Sequence, residues 1–230
     1  MLLYQIDGGY CYNSDSILLY GFITSFAPKG RMLDVGTGCG IVGLLVARDC
    51  YVALEGVEKQ SLYVEFARRN AQINHIQYSI HEGDFAEFND SKGFDWIVSN
   101  PPFYHEGSAR TQNEMVHQAR YNIHLPIEIF ARKIAKLLKP KGQVAICYDA
   151  RQFVAVCSAF EDAGLRVTNV QFVHSKQDRS STLVMIHAKK NSKSATNVLP
   201  PLITFEDEAY TPAVQEIYSK AKVHSIKCPI

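Results

Sequence analysis

Seven short apolar runs of β character recur along the chain, at 31–35, 51–57, 77–81, 94–99, 143–148, 166–173 and 182–188. Between them lie segments with the apolar spacing of helices, at 14–26, 42–49, 60–73, 123–138 and 151–163. A strand that is apolar on both faces must be covered on both. Strands of that kind, alternating with helices, predict an α/β fold with a mostly parallel sheet and helices on both sides. Only residues 174–181 separate the last two strands, too few for a parallel crossover, so these two should be antiparallel neighbours. Pro140-Lys141-Gly142 and Ala163-Gly164 supply stops between helix and strand. The seven strands consume almost the whole chain, which predicts one domain over 1–230. Within it, 1–30 is a helical lead-in, 31–190 the core, and 191–230, with Pro200-Pro201 and Pro212, an irregular tail apart from a helix near 214–222.

With 47% hydrophobic and 20% charged residues, wholesale disorder is excluded. No apolar run approaches the roughly 18–20 residues of a membrane span, and the first residues lack the basic region of a signal peptide. The six cysteines show no metal-ligand spacing, so no metal site and a cytoplasmic location with reduced thiols are expected. The net charge of +1 conceals an asymmetry: residues 1–99 sum to −5 and residues 100–230 to +6. Such a division suits a protein with one polyanion-facing side.

The segment Asp34-Val35-Gly36-Thr37-Gly38-Cys39-Gly40 follows the first of these strands and opens a helix. Its glycines permit a sharp turn and close approach of a ligand. The dinucleotide fingerprint GxGxxG is not matched, because position 41 is Ile. A carboxylate at Asp34 would repel a pyrophosphate and attract an ammonium. Glu58 ends the next strand, 24 residues on, where an acid can accept both hydroxyls of a ribose. Asp84, in Gly83-Asp84-Phe85 after the third strand, can accept from an adenine amino group, with Phe85 against the ring. Each signal taken singly is an ordinary turn or surface acid. All three fall at C-terminal strand ends, the edge where open α/β sheets bind ligands. Together they describe a nucleoside ligand with a cationic group, which S-adenosylmethionine fits better than a dinucleotide.

Asn100-Pro101-Pro102-Phe103 follows the fourth strand at the same edge. The side-chain oxygen of Asn100 and the carbonyl of Pro101 can accept from an NH₂ group. Two such acceptors favour a pyramidal amine whose lone pair points at a methyl donor. Phe103 can stack on a planar target. His105 and His117 are not needed as general bases, because the amine sheds its proton only after methyl transfer.

Taken together, Asp34–Gly40, Glu58, Asp84 and Asn100–Phe103 resemble the class I S-adenosylmethionine-dependent methyltransferases of the amino-methylating N-P-P-[FY] type. The resemblance implies a Rossmann-like seven-stranded sheet of order 3-2-1-4-5-7-6 with the last strand antiparallel. It implies S-adenosylmethionine as donor and S-adenosylhomocysteine as product. The donor would be held by Ser14, Asp15, Asp34, Gly36, Gly38, Gly40, Glu58, Asp84, Phe85 and Asn100, and the target by Asn100, Pro101, Pro102 and Phe103. Asn13-Ser14-Asp15-Ser16-Ile17-Leu18-Leu19 and Gln118-Ala119-Arg120-Tyr121 are similar to segments of the bacterial tRNA(Val) adenine-37 N6-methyltransferase group. That implies adenine N6 in tRNA as target and RNA as partner. Guanine N2 in RNA and protein glutamine are the alternatives the same motif serves, and a non-catalytic nucleotide-binding module is a different class of reading. Lys and Arg near the cleft should meet phosphate; the candidates are Arg110, Arg120, Lys176, Arg179, Lys189, Lys190 and Lys193.

Overall fold

The structure, a computed structural model, describes residues 1–9, 11–101 and 125–229. Its elements are β1 (Leu2–Ile6), α1 (Ser14–Thr24), β2 (Lys29–Val35), α2 (Ile41–Asp49), β3 (Tyr51–Glu58), α3 (Ser61–Ile73), β4 (Tyr78–Glu82) and β5 (Phe94–Ser99). Then follow α4 (Ile127–Leu137), β6 (Leu138–Asp149), a 3₁₀ turn (Ala150–Gln152), α5 (Phe153–Asp162), β7 (Leu165–His174) and β8 (Leu183–Lys190). Four two-residue strands, β9 (Asn197–Val198), β10 (Leu202–Ile203), β11 (Phe205–Glu206) and β12 (Ala209–Tyr210), lead to α6 (Pro212–Ala221) and β13 (His224–Cys228).

The long strands lie in the order β4-β3-β2-β5-β6-β8-β7, the order the resemblance implied. β2, β3, β4, β5 and β6 pair in parallel, and β8 runs antiparallel to both β6 and β7. Two-residue periodicity divides the core between the faces. Met32, Val98, Ala145 and Cys147 pack with α1 and α2 on one side. Leu33, Val35, Ile97, Val144 and Ile146 pack with α4 and α5 on the other. On the first face His187 is sandwiched between Phe26 and Trp96, with ring centroids 4.2 and 5.4 Å away. Its Nδ1 meets Thr168 and Asn169 and its Nε2 meets Gln143 at 3.0 Å. Burial holds its pKa down to about 4.

Three sequence expectations need correction. The stretch 191–230 is not irregular: β9 and β10 extend the sheet along β7, making nine strands among the described residues, and α6 packs on α1. Strands of two residues carry no periodicity to read. The lead-in 1–30 is not purely helical, because β1 pairs in parallel with β13. Asn70 of α3 and Asn74 just after it bond both backbone groups of Tyr4 and Leu2 respectively and so hold β1 in place. Pro140-Lys141-Gly142 does not divide helix from strand. It lies inside β6, and the pairing with β5 shifts register there, from Phe94↔Leu138 to Trp96↔Gln143. No helix among the described residues is long and apolar enough to cross a membrane.

The α1–α6 contact is close at one residue. A Cβ on Gly21 would lie 2.9 Å from Cγ2 of Ile217. Gly21→Val is therefore expected to destabilise the fold by about 2 kcal/mol through overpacking, although replacing a helical glycine normally helps. Denaturant unfolding would measure this, and a gain in stability would show that α6 does not pack there.

Candidate active site

β2 and β5 lie side by side, with Val35 opposite Ser99, and the hydroxyl of Ser99 donates to the Val35 carbonyl at 2.8 Å. The chain on one side turns into the glycine loop and on the other into Asn100-Pro101. This is the switch point of the sheet, where crossovers leave to opposite faces and open a crevice. A cleft of about 420 Å³, open to solvent, is lined by Tyr12, Ser16, Asp34, Gly36, Thr37, Gly38, Cys39, Ile41, Val42 and Asn100.

The loop is held by its own sequence. Gly36 N–H donates to the Val57 carbonyl at 2.9 Å, and Gly40 N–H donates to the Thr37 carbonyl at 2.9 Å. Asn70 donates to the Cys39 carbonyl, and the hydroxyls of Thr37 and Tyr78 are bonded to each other. Gly38 has φ +54 and a Cβ built on it meets nothing within 4 Å. The position thus needs glycine for its backbone and leaves room that a ligand can use. Gly38→Ala is expected to cost about 1 kcal/mol of stability and to weaken donor binding by a larger factor. Thermal unfolding and calorimetry would read the two effects, and unchanged donor affinity would count against a ligand at this loop.

Asp34 is buried, with 2% exposure. Its Oδ2 accepts from the Thr37 hydroxyl at 2.9 Å and from Gly43 N–H, in the first turn of α2, at 3.0 Å. Burial pushes its pKa up to about 6 despite these bonds, and the charge of Glu58 adds to the rise. Glu58 is equally enclosed and accepts from Gly38 N–H at 2.9 Å and Gln60 N–H at 3.0 Å. Its pKa is also raised by burial. Among the described residues neither carboxylate has a cationic partner. Asp149, another buried acid, is paired with Arg151, and Asp84 with Lys59 at 3.0 Å. Two enclosed acids without a cation among the described residues, at strand ends beside a loop with room for a ligand, fit an ammonium and ribose hydroxyls and repel a pyrophosphate.

The expected residues do not all converge. Asp34, Gly36, Gly38 and Asn100 line one cleft, and Glu58 joins through Gly38. Gly40 caps α2. Asp84 sits farther along the same strand edge, since Gly83 N–H donates to the Glu58 carbonyl at 2.9 Å. Phe85 does not face the cleft; it is buried in the core with its ring 5.6 Å from that of Phe130. The Asp15 carboxylate accepts from Asn13 Nδ2 and from the Ser14 hydroxyl at the start of α1, and Ser16 is the residue of that segment that lines the cleft. Pro101 is half-buried. Pro102, Phe103, His105, Arg110, His117 and Gln118–Tyr121 lie outside the described residues.

Of the expected phosphate contacts, Lys176 and Arg179 occupy the β7–β8 loop at the C-terminal edge of β6, where Asp149 pairs with Leu183. Lys189 and Lys190 are at the opposite edge, opposite Gln143 and Leu165, and Lys193 follows them. Lys190 is spent on the fold, donating to the carbonyls of Ala135 and Leu138 at the end of α4. Arg151, exposed at the catalytic edge, went unnoticed in the sequence. Tyr12 was missed as well, while Thr37 and Cys39, part of the glycine-loop segment, had been given no role of their own.

A predicted O-methyltransferase from Agrobacterium tumefaciens superposes on the chain with a TM-score of 0.70, covering 93% of this chain and 100% of that one at 18% identity. At that identity the likeness concerns the fold alone. The chain is a methyltransferase of the S-adenosylmethionine-dependent class, as its family match and its curated relatives show, and the acids around the glycine loop agree with this. Residues 13–126, just under half of the chain, match the methyltransferase small domain family. A tRNA1(Val) (adenine(37)-N6)-methyltransferase from Phocaeicola vulgatus is 28% identical over 178 residues, 76% of this chain and 75% of that one. One of the same name from Pectobacterium carotovorum is 26% identical over 210 residues, 89% of this chain and 84% of that one.

Proposed function

We propose that residues 1–230 act as one domain, a cytoplasmic enzyme that methylates the N6 amino group of an adenine in tRNA, at a position of the type that its relatives' name specifies. The observation that carries this reading is the placement of Asn100 on the cleft that holds Asp34 and the glycine loop. An acceptor for an amine and an acidic donor pocket thereby share one crevice. S-adenosylmethionine supplies a methyl group on a sulfonium: the N–CH₃ bond forms as the S–CH₃ bond breaks, S-adenosylhomocysteine leaves, and the amine proton passes to water.

The chain's own groups bind and orient. Asp34 offers its carboxylate to the ammonium, and Glu58 accepts from the ribose hydroxyls while it tethers Gly38. The Asn100 carbonyl and the backbone of Pro101 hold the target amine. Approach and alignment account for most of the rate, with no general base required. An exposed anticodon-loop base reaches such a pocket with little unstacking, and Arg151, Lys176 and Arg179 stand on the same edge to meet phosphates.

The test is incubation of the chain with labelled S-adenosylmethionine, total tRNA and total protein, followed by mass spectrometry of the nucleosides. N6-methyladenosine in tRNA is the expected product. N2-methylguanosine, or label on protein glutamine, would replace the adenine reading.

A further inference from the structure

Cys147 lies on β6, the strand beside β5, and faces α1, because Ala145 and Cys147 share the α1 side of the sheet while Val144 and Ile146 take the other. It is wholly buried. Its Sγ–H donates to Oδ1 of Asn100 at 2.7 Å. On the other side of the same amide, Asn100 Nδ2 donates at 3.0 Å to the hydroxyl oxygen of Ser16, which is buried on α1. Burial pushes the Cys147 thiol far above its ordinary range, and the charge of nearby Asp15 adds to this. The sulfur therefore keeps its proton and remains a donor.

The terminal torsion of asparagine is broad and nearly two-fold, and its two ends have almost the same size. Packing alone does not distinguish a carbonyl from an amino group at that site. The S–H on one side does, because a thiol sulfur is a poor acceptor for an amide NH₂; the Ser16 hydroxyl, which can donate or accept, takes the amide hydrogen in this orientation. The consequence is chemical. A flipped amide would present NH₂ to an incoming amine, donor against donor. In the observed orientation one lone pair of Oδ1 takes the thiol hydrogen and the second is left for the target.

We propose that Cys147 and Ser16 are positioning residues that lock the Asn100 amide in its amine-accepting orientation. This rests on the reading of Asn100 as the acceptor of the target amine. Cys147 touches neither substrate nor donor; it acts through Asn100.

The experiment compares Cys147→Ser, which keeps a donor, with Cys147→Val, which keeps apolar bulk and removes it. Cys147→Val is expected to lower kcat on tRNA by about 10–100-fold, the range of one or two lost hydrogen bonds. KM for tRNA and Kd for S-adenosylmethionine should stay within about threefold, because neither binding step uses the amide's orientation alone. Cys147→Ser should restore most of kcat. A cysteine that merely fills the core gives the reverse order, with the buried hydroxyl worse than valine, and that result would overturn the proposal.

A second measurement does not depend on turnover. In ¹⁵N spectra the side-chain NH₂ pair of Asn100, assigned by its disappearance in Asn100→Asp, should be split and slowly exchanging in the native chain and in Cys147→Ser. It should shift and broaden in Cys147→Val and in Ser16→Ala. An unchanged pair in both variants would also overturn the proposal. If the pair responds as expected while even the native chain leaves tRNA adenine unmodified, the adenine reading fails and the positioning role stands.

Discussion

Asn100→Ala is expected to reduce turnover by about 10²–10³-fold, the usual loss when a group aimed at developing charge is removed. The donor dissociation constant should remain within about threefold. The two should separate because Asn100 touches the cleft from β5, whereas the acids and the loop that receive the donor come from β2 and β3. The substitution also leaves two buried groups, the Cys147 thiol and the Ser16 hydroxyl, without this partner. A stability loss of about 1–3 kcal/mol should accompany it. Turnover must therefore be measured well below the variant's unfolding midpoint, beside calorimetric donor titration. Native turnover in a folded Asn100→Ala would remove Asn100 from the chemistry. Loss of donor affinity with the same factor as turnover would assign it to donor binding instead.

The parts of this site that could be read from the sequence are those carried by strand ends. The run 94–99 is apolar apart from Asp95 and Ser99, matches β5, and delivers Asn100 to the edge of the sheet. Asp34, next to last in β2, and Glu58, last in β3, reach that edge for the same reason. What escaped was set by separation along the chain. Ser16 and Asn100 are 84 residues apart, and Cys147 and Asn100 are 47 apart. No local pattern reports such a meeting. β1 and β13 are a sharper case, since each is short and they join opposite ends of the sequence.

Lys189 and Lys190 are a different kind of error. Charge density suggested a phosphate site, but the antiparallel direction of the last long strand, itself legible in the short loop before it, requires that strand to end at the edge away from Asn100. Phe85 misled through its neighbour: Asp84 remains at the strand edge with Lys59, while the next side chain turns inward onto Phe130.

Asp34→Asn is expected to make the ligand-free protein more stable at neutral pH and worse at binding its donor. The folded-state pKa of Asp34 is raised from 3.8 to about 6. Between those values the native state holds a proton that the unfolded chain has released. The stability this group contributes is therefore fully present below 3.8, is lost as pH rises through about 6, and stays lost above it. The shift corresponds to about 3 kcal/mol. Asparagine does not titrate and keeps an oxygen for Thr37 and Gly43. The stability of the variant minus that of the native protein should thus be near its minimum at acid pH and rise by about 3 kcal/mol by pH 7. The difference is the quantity to measure, because His187, held down to about 4, titrates in the opposite sense over much of the same interval and cancels from it. Donor affinity should behave conversely. In the native chain Kd for S-adenosylmethionine should be level near pH 7 and rise by up to about tenfold per unit below 6, as the carboxylate that meets the ammonium is protonated. In Asp34→Asn it should be weak and level across that range. A difference curve that stays flat from pH 4 to 7 would mean that Asp34 is not a strained buried acid. A Kd that falls on acidification would mean that the ammonium is not its partner.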